Sequence, residues 1–278
     1  MSVRIAVASH SLSSGFSGAM YALIRKLVQP EQSIVECGIV LRDDPEHLRE
    51  KLLKLLASEP RPAALIGICL RPDRKTVADF RSYRAPVVLV DEQAEGASTV
   101  ASDNYAGGQL AGKFLADAGR RTIALVSGRL EGNGSYNAVQ RLNGFTKALA
   151  ERGLQLSDEH LVQVVEYSRK EGEAALPELL RKATKPDAIF CAAGDFCASG
   201  LLAAARDRKL KVPGDLAVLG YDDNPLAAIS HPPLTTIRQP MDQIAEEAWR
   251  IATTDRERIL VKPARSLFPP ELVKRESA

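Results

Sequence analysis

The segment from Pro186 to Pro240 constrains the fold more than any other part of the chain. Ala188 to Cys191 is a short apolar run without polar alternation, which is typical of a parallel strand covered on both faces. A helical pattern follows from Phe196 to Arg208, with apolar residues three and four positions apart, and Leu216 to Leu219 is a second apolar strand. This strand-helix-strand unit predicts an α/β fold.

Both strands of this unit end in a loop that carries a carboxylate. Asp195 follows the first strand, and Asp222 follows the second. In open α/β sheets, ligands bind outside the carboxyl ends of the strands. The two acids therefore predict a binding pocket at this edge of the sheet.

The rest of the chain alternates strand and helix patterns in two series. The first series fills about the first hundred residues, and the second begins with the strand Thr122 to Val126. Asp103 is placed to cap the intervening helix, and Gly119 is placed to end it. We therefore predict two doubly wound, Rossmann-like parallel sheets, with a changeover at Ser102-Asp103.

Composition and charge exclude several classes of protein. The 278 residues are 45% hydrophobic and 26% charged, which suits one large domain or two of ordinary size. The net charge of +2 and the lack of a strongly basic block do not indicate nucleic-acid binding by this chain alone. The sequence shows neither a membrane-spanning run nor a secretory leader pattern, so we expect a cytoplasmic protein without a membrane partner.

The reactive residue types form no catalytic or metal-binding pattern. Cys37, Cys69 and Cys191 fall in predicted buried strands, and with Cys197 they are predicted to be reduced. The four histidines lack metal-site spacing. A Gly-x-Ser-x-Gly elbow, a Walker loop and the dinucleotide glycine fingerprint are absent from the sequence. We predict no enzyme activity, no cofactor and no metal.

Several motifs occur in an order and spacing that together are highly specific. They are Asp103–Gly108, Arg120–Ala124, Arg141–Phe145, Val212–Asp215, Gly220–Asp223, Pro233–Pro240 and Glu271–Ser277. Together they resemble the effector-binding domain of the lactose/galactose repressor (LacI/GalR) family of transcription regulators. The match is weaker over the first 70 residues, where Ser13-Ser14-Gly15-Phe16 replaces the family's Asn-Pro-aromatic loop.

The resemblance implies a type I periplasmic-binding-protein-like fold with two lobes joined by crossover strands. The N-terminal lobe would comprise residues 1–102 and 238–260, and the C-terminal lobe residues 103–237 and 261–278. The effector would bind between the lobes. The family's helix-turn-helix head would precede Met1-Ser2, and we expect that it was truncated rather than naturally absent.

The resemblance also implies ligand contacts in the C-terminal lobe. Arg141 would bind vicinal hydroxyls or a carboxylate, and Asn137, one helical turn earlier, would add an amide contact. Asp222 is assigned to the ligand, and Asp223 to capping the next helix. For Asp195, helix capping and pocket lining remain equal alternatives. The structural alternative for Arg141 is a surface or helix-capping arginine, and that for Asp222 is capping of the next helix.

The remaining candidate contacts are at the second crossing and in the N-terminal lobe. Gln239 would bind the ligand near the hinge, or hydrogen-bond to local backbone. Asp91 would line the opposite wall or cap a loop. Phe16 would stack on a ring or belong to the helix core, and His10 would touch the ligand or face solvent.

The predicted function is the effector-sensing and dimerisation domain of such a regulator. The effector would be a sugar, a sugar derivative, a nucleoside or a purine. The chain would form a homodimer through Leu226 to Leu234 and the loop and helix after Arg71, and it would reach operator DNA only through the missing head. The alternatives are a periplasmic sugar-binding protein of a transport system and a sugar or nucleoside hydrolase on the same fold.

Overall fold

A computed structural model describes residues 3–13, 15–39, 44–132, 135–254 and 256–278. Met1-Ser2 and Ser14, which the sequence analysis discussed, therefore lie outside the described residues.

The chain alternates strands and helices throughout most of its length. In order the elements are β1 Val3–Ser9, α1 Gly15–Lys26, β2 Gln32–Gly38, α2 Pro45–Leu56, β3 Ala64–Ile68, α3 Arg74–Ser82, β4 Val87–Val90, β5 Ser98–Ser102, α4 Asn104–Asp117, β6 Ile123–Ser127, α5 Tyr136–Ala150, β7 Leu161–Gln163, α6 Arg169–Leu180, β8 Ala188–Cys191, α7 Asp195–Asp207, β9 Ala217–Asp222, α8 Pro225–Ile229, β10 Thr235–Arg238, α9 Met241–Thr253, α10 Arg256–Val261, β11 Arg265–Phe268 and β12 Glu271–Val273. A short 3₁₀ helix, Asp158–His160, precedes β7.

Unit 1 contains residues 1–102, 132–136 and 240–268. Its sheet has the strand order β11-β5-β4-β3-β1-β2, and all neighbours pair in parallel. Ile5 and Val7 of β1 pack with helices α1 and α9, whereas Ala6 and Ala8 pack with α2 and α3. Successive residues of the strand thus face two helical layers, which explains why the strand sequence lacks polar alternation.

Unit 2 contains residues 103–131, 137–239 and 269–278. Its sheet has the order β12-β10-β9-β8-β6-β7, and only β12 is antiparallel to its neighbour among the strands described. Ile189 of β8 packs on the face covered by α6 and α7, and Phe190 packs on the face covered by α4 and α5. The predicted α/β fold with two doubly wound sheets is confirmed.

Each sheet has one point where the direction of winding reverses. In unit 1, β2 and β3 lie on opposite sides of β1, and in unit 2, β7 and β8 lie on opposite sides of β6. At such a point, the loops after two neighbouring strands run in opposite directions and leave a crevice at the carboxyl ends of these strands. Ligands of open α/β sheets bind in this crevice. In unit 2 this crevice is bordered by the ends of β6 and β8.

Several details differ between the sequence interpretation and the structure. Ser135 and Tyr136 belong to unit 1 although they were predicted for the C-terminal lobe, and the second changeover lies between Gln239 and Pro240 rather than between residues 237 and 238. Helix α10 was not predicted, and it buries Ile259. The last changeover lies after Phe268 rather than near Val261, because β11 pairs with β5 and so remains in unit 1. Cys69 follows β3 instead of lying within it. All four cysteines are free thiols.

Among the described residues, no helix is both long enough and apolar enough to cross a lipid bilayer.

Candidate functional site

Asp222 and Asp223 turn the chain sharply at the carboxyl end of β9. Their φ angles are 103° and 52°, a left-handed region that residues other than glycine seldom adopt. The Asp223 carboxylate accepts hydrogen bonds from Arg238 Nε at 2.6 Å and from Arg275 Nη2 at 2.7 Å. These two ion pairs connect the turn to β10, through Arg238, and to the C-terminal segment, through Arg275.

The prediction that Asp223 caps the next helix is wrong. The residue that caps α8 is Asn224, whose side chain accepts a hydrogen bond from Leu226 N at 3.1 Å. Asp223 is instead held by two arginines that lie 15 and 52 residues further along the chain. Its structural assignment is correct, but the structural role is to anchor the turn that presents Asp222.

Asp222 and Gln239 form a direct pair. Gln239 Nε2 donates a hydrogen bond of 2.7 Å to Asp222 Oδ1. Gln239 follows β10, which is the strand next to β9 in the sheet. Gln239 is buried, and its Oε1 has no hydrogen-bond partner among the described residues. Two predicted ligand residues are thus brought together at one edge of the sheet.

Asp195 lies beneath this pair as a buried acid. It is the first residue of α7, whose cap position is Gly194, and no side chain caps that helix. The carboxylate instead accepts hydrogen bonds of 2.7 Å from Thr236 Oγ1 and from Asn224 N, so the capping alternative for Asp195 is wrong. Burial, and secondarily the negative charge of Asp222, raise the pKa of Asp195 well above its ordinary value.

Arg141 is buried within unit 2 and joins three elements, so it is not a surface arginine. Its Nε donates to Asn104 Oδ1 at 2.7 Å, and its Nη1 donates to the backbone oxygen of Ala192 at 2.8 Å. The guanidinium carbon lies 3.7 Å from the ring centroid of Tyr221, which is a cation–π contact. Because Ala192 follows β8 and Tyr221 precedes Asp222, Arg141 belongs to the same edge of the sheet.

Asn137 lies at the start of α5, four residues before Arg141. It is partly buried, and its Oδ1 accepts a hydrogen bond of 2.6 Å from Ala138 N. This contact fixes the amide at the beginning of the helix. Its predicted contribution to ligand binding remains a prediction.

The predicted contacts in unit 1 have different surroundings. Asp91 is buried directly after β4 with a φ of 58°, and His10 is partly buried directly after β1. Both therefore lie at the carboxyl edge of the first sheet. Phe16 packs against the hydrophobic core that α1 shares with the sheet, which favours its core interpretation.

Two further buried polar residues, Glu92 and Ser127, were not predicted from the sequence. Glu92 is fully buried two residues after β4, and burial raises the pKa of its carboxyl group. Its Oε1 accepts a hydrogen bond of 2.9 Å from Gln93 N. Ser127 is the fully buried last residue of β6. Position after an apolar strand was the available signal in both cases, as it was for Asp195 and Asp222.

Buried polar atoms with unmet hydrogen-bonding capacity occur at the carboxyl ends of both sheets. In the described residues, Ser127 Oγ, Gln239 Oε1 and Glu92 Oε2 are buried without a hydrogen-bond partner. His47 Nε2, in α2, is another such atom away from these ends. Buried polar groups are nearly always paired with protein, water or ligand. Ser127 and Gln239 therefore make the carboxyl edge of the second sheet a candidate binding site, and Glu92 is a separate candidate at the edge of the first sheet.

Comparison with known proteins identifies the family. A family model described as a periplasmic binding protein-like domain matches residues 113–278. The HTH-type transcriptional repressor PurR of Salmonella newport is 33% identical over 229 residues, which are 80% of this chain and 65% of the repressor. The chain belongs to the LacI family. The matched part of the chain spans 65% of the length of this curated relative, which is slightly less than two thirds.

Solved structures of LacI-family regulators have the same fold. The lac repressor dimer bound to operator and the anti-inducer ONPF is 25% identical, with a TM-score of 0.86 over 100% of this chain and 94% of that chain. The CelR–cellobiose complex is 24% identical, with a TM-score of 0.85 over 100% and 85% of the two chains. The resemblance to the family's effector-binding domain is confirmed, and the alternative of a periplasmic transport protein is not favoured.

Proposed function

We propose that this LacI-family domain senses a small polar effector and transmits its binding to operator DNA. The observation that carries the proposal is the carboxyl edge of the second sheet. There Asp222 is presented by an anchored turn, and Gln239 Oε1 and Ser127 Oγ have unmet hydrogen-bonding capacity. This edge includes the point at which the sheet reverses its winding. A polar ligand would complete these hydrogen bonds.

In the proposed site, Asp222, Gln239 and Arg141 bind the effector from unit 2, and Asn137 and Asp195 line or support it. Asp91 and His10 are the proposed contacts from unit 1. That the effector lies between two lobes stays a prediction of the family resemblance. A sugar, a sugar derivative, a nucleoside or a purine would each provide polar groups for this set.

The proposed mechanism is a shift between two conformations. An effector that binds one conformation more tightly than the other increases its population, by an amount set by the difference in affinity. The effector then changes the affinity of the regulator for operator DNA. By linkage, operator DNA changes the affinity for the effector by the same factor. A DNA-binding head, joined to this domain in the whole regulator, would carry that change to the operator in the cytoplasm.

A homodimer is part of the proposal. Ile229 of α8 is 78% exposed, and it belongs to the predicted interface from Leu226 to Leu234. Leu234 itself is buried in the core of unit 2, so the exposed side of α8 is the part available to a second copy. The lac repressor in the related structure is a dimer.

A thermal-shift screen of sugars, sugar phosphates, nucleosides and purines tests the function. A ligand at about 100 times its dissociation constant adds roughly 2.7 kcal/mol to the free energy of unfolding, which raises Tm. Substitution of Arg141 by Ala should abolish the ligand-induced rise, measured from the variant's own lower baseline. The control is Asp207→Asn on the exposed surface of unit 2. An unchanged rise in the Arg141 variant would remove this residue from the site.

A further inference from the structure

We propose that Asn104 is a positioning residue for Arg141. Its side-chain oxygen, together with the ring of Tyr221, fixes the guanidinium plane of Arg141 in one orientation before the effector arrives. Asn104 was not among the ligand residues predicted from the sequence. This role rests on the proposed effector-sensing function and extends it to a residue that acts through Arg141 rather than on the effector.

Asn104 is a buried amide at the start of α4, with 2% of its surface exposed. The preceding residue, Asp103, caps this helix and accepts a hydrogen bond of 2.9 Å from Ala106 N. Because Asp103 provides the cap, the Asn104 side chain is left for contacts outside its own helix. Its Oδ1 accepts a hydrogen bond of 2.7 Å from Arg141 Nε, 37 residues further along the chain.

Two donors converge on this amide oxygen. Arg141 Nε donates to it at 2.7 Å, and the hydroxyl of the fully buried Tyr221 donates to it at 3.3 Å. A guanidinium can only donate hydrogen bonds, so the atom that faces Nε must be the oxygen of Asn104 and not its NH₂ group. The chemistry of Arg141 therefore fixes the orientation of the amide.

Three elements hold the guanidinium plane of Arg141. Nε is bound to Asn104 of α4, and Nη1 is bound to the backbone oxygen of Ala192, which follows β8. The ring of Tyr221, in β9, lies 3.7 Å from the guanidinium carbon. Two hydrogen bonds and one stacked ring leave this planar group little freedom to rotate. The side chain is thus ordered on folding, and a preorganised side chain costs less affinity than one that the effector must order.

The glycines of the Asp103–Gly108 motif make room for this arrangement. A Cβ atom on Gly107 would clash with the Tyr221 hydroxyl, and one on Gly108 would clash with the backbone oxygen of Arg141. The motif therefore supplies the cap of α4, an amide acceptor for Arg141 and the space in which Tyr221 reaches that amide. These functions all serve the placement of one arginine side chain.

Loss of the Asn104 oxygen should weaken the effector complex. Arg141 is only 5% exposed, so its Nε–H group has little access to water when this acceptor is removed. A buried donor that loses its acceptor is costly, and the guanidinium then turns toward another acceptor or occupies more than one orientation. The effector must restore the lost order, and a loss equivalent to one hydrogen bond weakens affinity about tenfold.

Calorimetric titration of wild type, Asn104→Ala, Asn104→Asp and Asn143→Ala tests this role. The probes are D-ribose, D-glucose, adenosine and adenine, all of them uncharged. For a probe that binds wild type, Asn104→Ala should raise the dissociation constant at least about tenfold. Asn104→Asp should return it to within about threefold of wild type, because the isosteric carboxylate keeps an acceptor for Arg141 Nε. The control Asn143→Ala removes an exposed amide of α5 and should keep the wild-type value.

A dissociation constant of Asn104→Ala within about threefold of wild type would overturn the positioning role and leave effector sensing intact. Equal weakening by the alanine and aspartate variants would also overturn it, because the acceptor would then not be the cause. If none of these probes binds wild type, the proposed function fails for these classes and the positioning role fails with it. Urea denaturation verifies that each variant is folded under the conditions of the titration. If Asn104→Ala is not folded, Asn104→Ser replaces it with the same expectation, since its hydroxyl is too short to make the bond of 2.7 Å to Arg141 Nε.

Discussion

Asp195 lies inside unit 2, where both of its carboxyl oxygens are engaged. One oxygen contacts Thr236 Oγ1 and the other accepts from Asn224 N, both at 2.7 Å. Burial disfavours the charged form, and Asp222 adds like-charge repulsion, so the folded protein raises the pKa of this group. The proton has a partner, because the Thr236 hydroxyl can accept a hydrogen bond as well as donate one.

The substitution Asp195→Asn should change how stability depends on pH. In the wild type, between the unfolded pKa near 3.8 and the higher folded pKa, the folded state holds a proton that the unfolded state has lost. The contribution of Asp195 to the free energy of unfolding therefore falls as pH rises through this interval. Asparagine imitates the protonated acid and does not titrate, so the variant should gain stability relative to wild type between pH 4 and pH 8.

Urea denaturation of both proteins at pH 4 and pH 8 measures this effect. The control is Asp207→Asn, whose difference from wild type should change much less between the two pH values, because that carboxylate is exposed. If the stability difference between the Asp195 variant and wild type were the same at both pH values, the raised pKa would be refuted.

Sequence alone located some of these residues and missed others for a physical reason. The position of Asp222 after an apolar strand predicted its place at the carboxyl edge of the sheet, and the family resemblance assigned Arg141 to the same ligand. Asp223 was misassigned because its partner Arg275 is 52 residues away in the chain. Glu92 and Ser127 were missed because their full burial is a property of the folded chain that local sequence does not show.

At the level of elements, the crossing of α4 and α5 determines where Arg141 lies. A Cβ atom on Gly108 would clash with the backbone oxygen of Arg141, and one on Gly144 would clash with the backbone oxygen of Tyr105. The two helices therefore approach through glycines, backbone against backbone. This crossing places the Arg141 side chain beside Asn104 at the start of α4.

The substitution Gly144→Ala should force these helices apart. Overpacking of this kind costs about 1–3 kcal/mol in the free energy of unfolding, measured by urea denaturation. The control is Gly38→Ala at the end of β2, where a Cβ atom meets nothing within 4 Å and the φ angle is unstrained. The control should change stability by less than about 0.5 kcal/mol. Equal effects of the two substitutions would contradict the close helix contact.

Most elements were predictable because their periodicity is strong. Leu48, Leu52, Leu55 and Leu56 of α2 are all buried, as their helical spacing indicated. The predicted cap of α4 is also confirmed, since Asp103 accepts a hydrogen bond of 2.9 Å from Ala106 N. Helix α10 was missed because its six residues bury only Ile259, which is too short a pattern to distinguish from a turn.

At the level of the whole molecule, the two sheets follow the same winding scheme. Each places its first strand between the second and the third, and each receives a final strand from the last part of the chain. The doubly wound pattern was evident from alternation along the sequence. Which sheet β11 and β12 join was not evident, because that choice depends on pairing with β5 and β10, far away in sequence.

A crystal structure of the protein with the tightest-binding compound of the thermal-shift screen decides whether a small polar effector binds at the carboxyl edge of the second sheet. We expect polar groups of that compound within hydrogen-bond distance of Asp222 and of Gln239 Oε1. A compound bound with neither of these residues in contact would refute the proposed site.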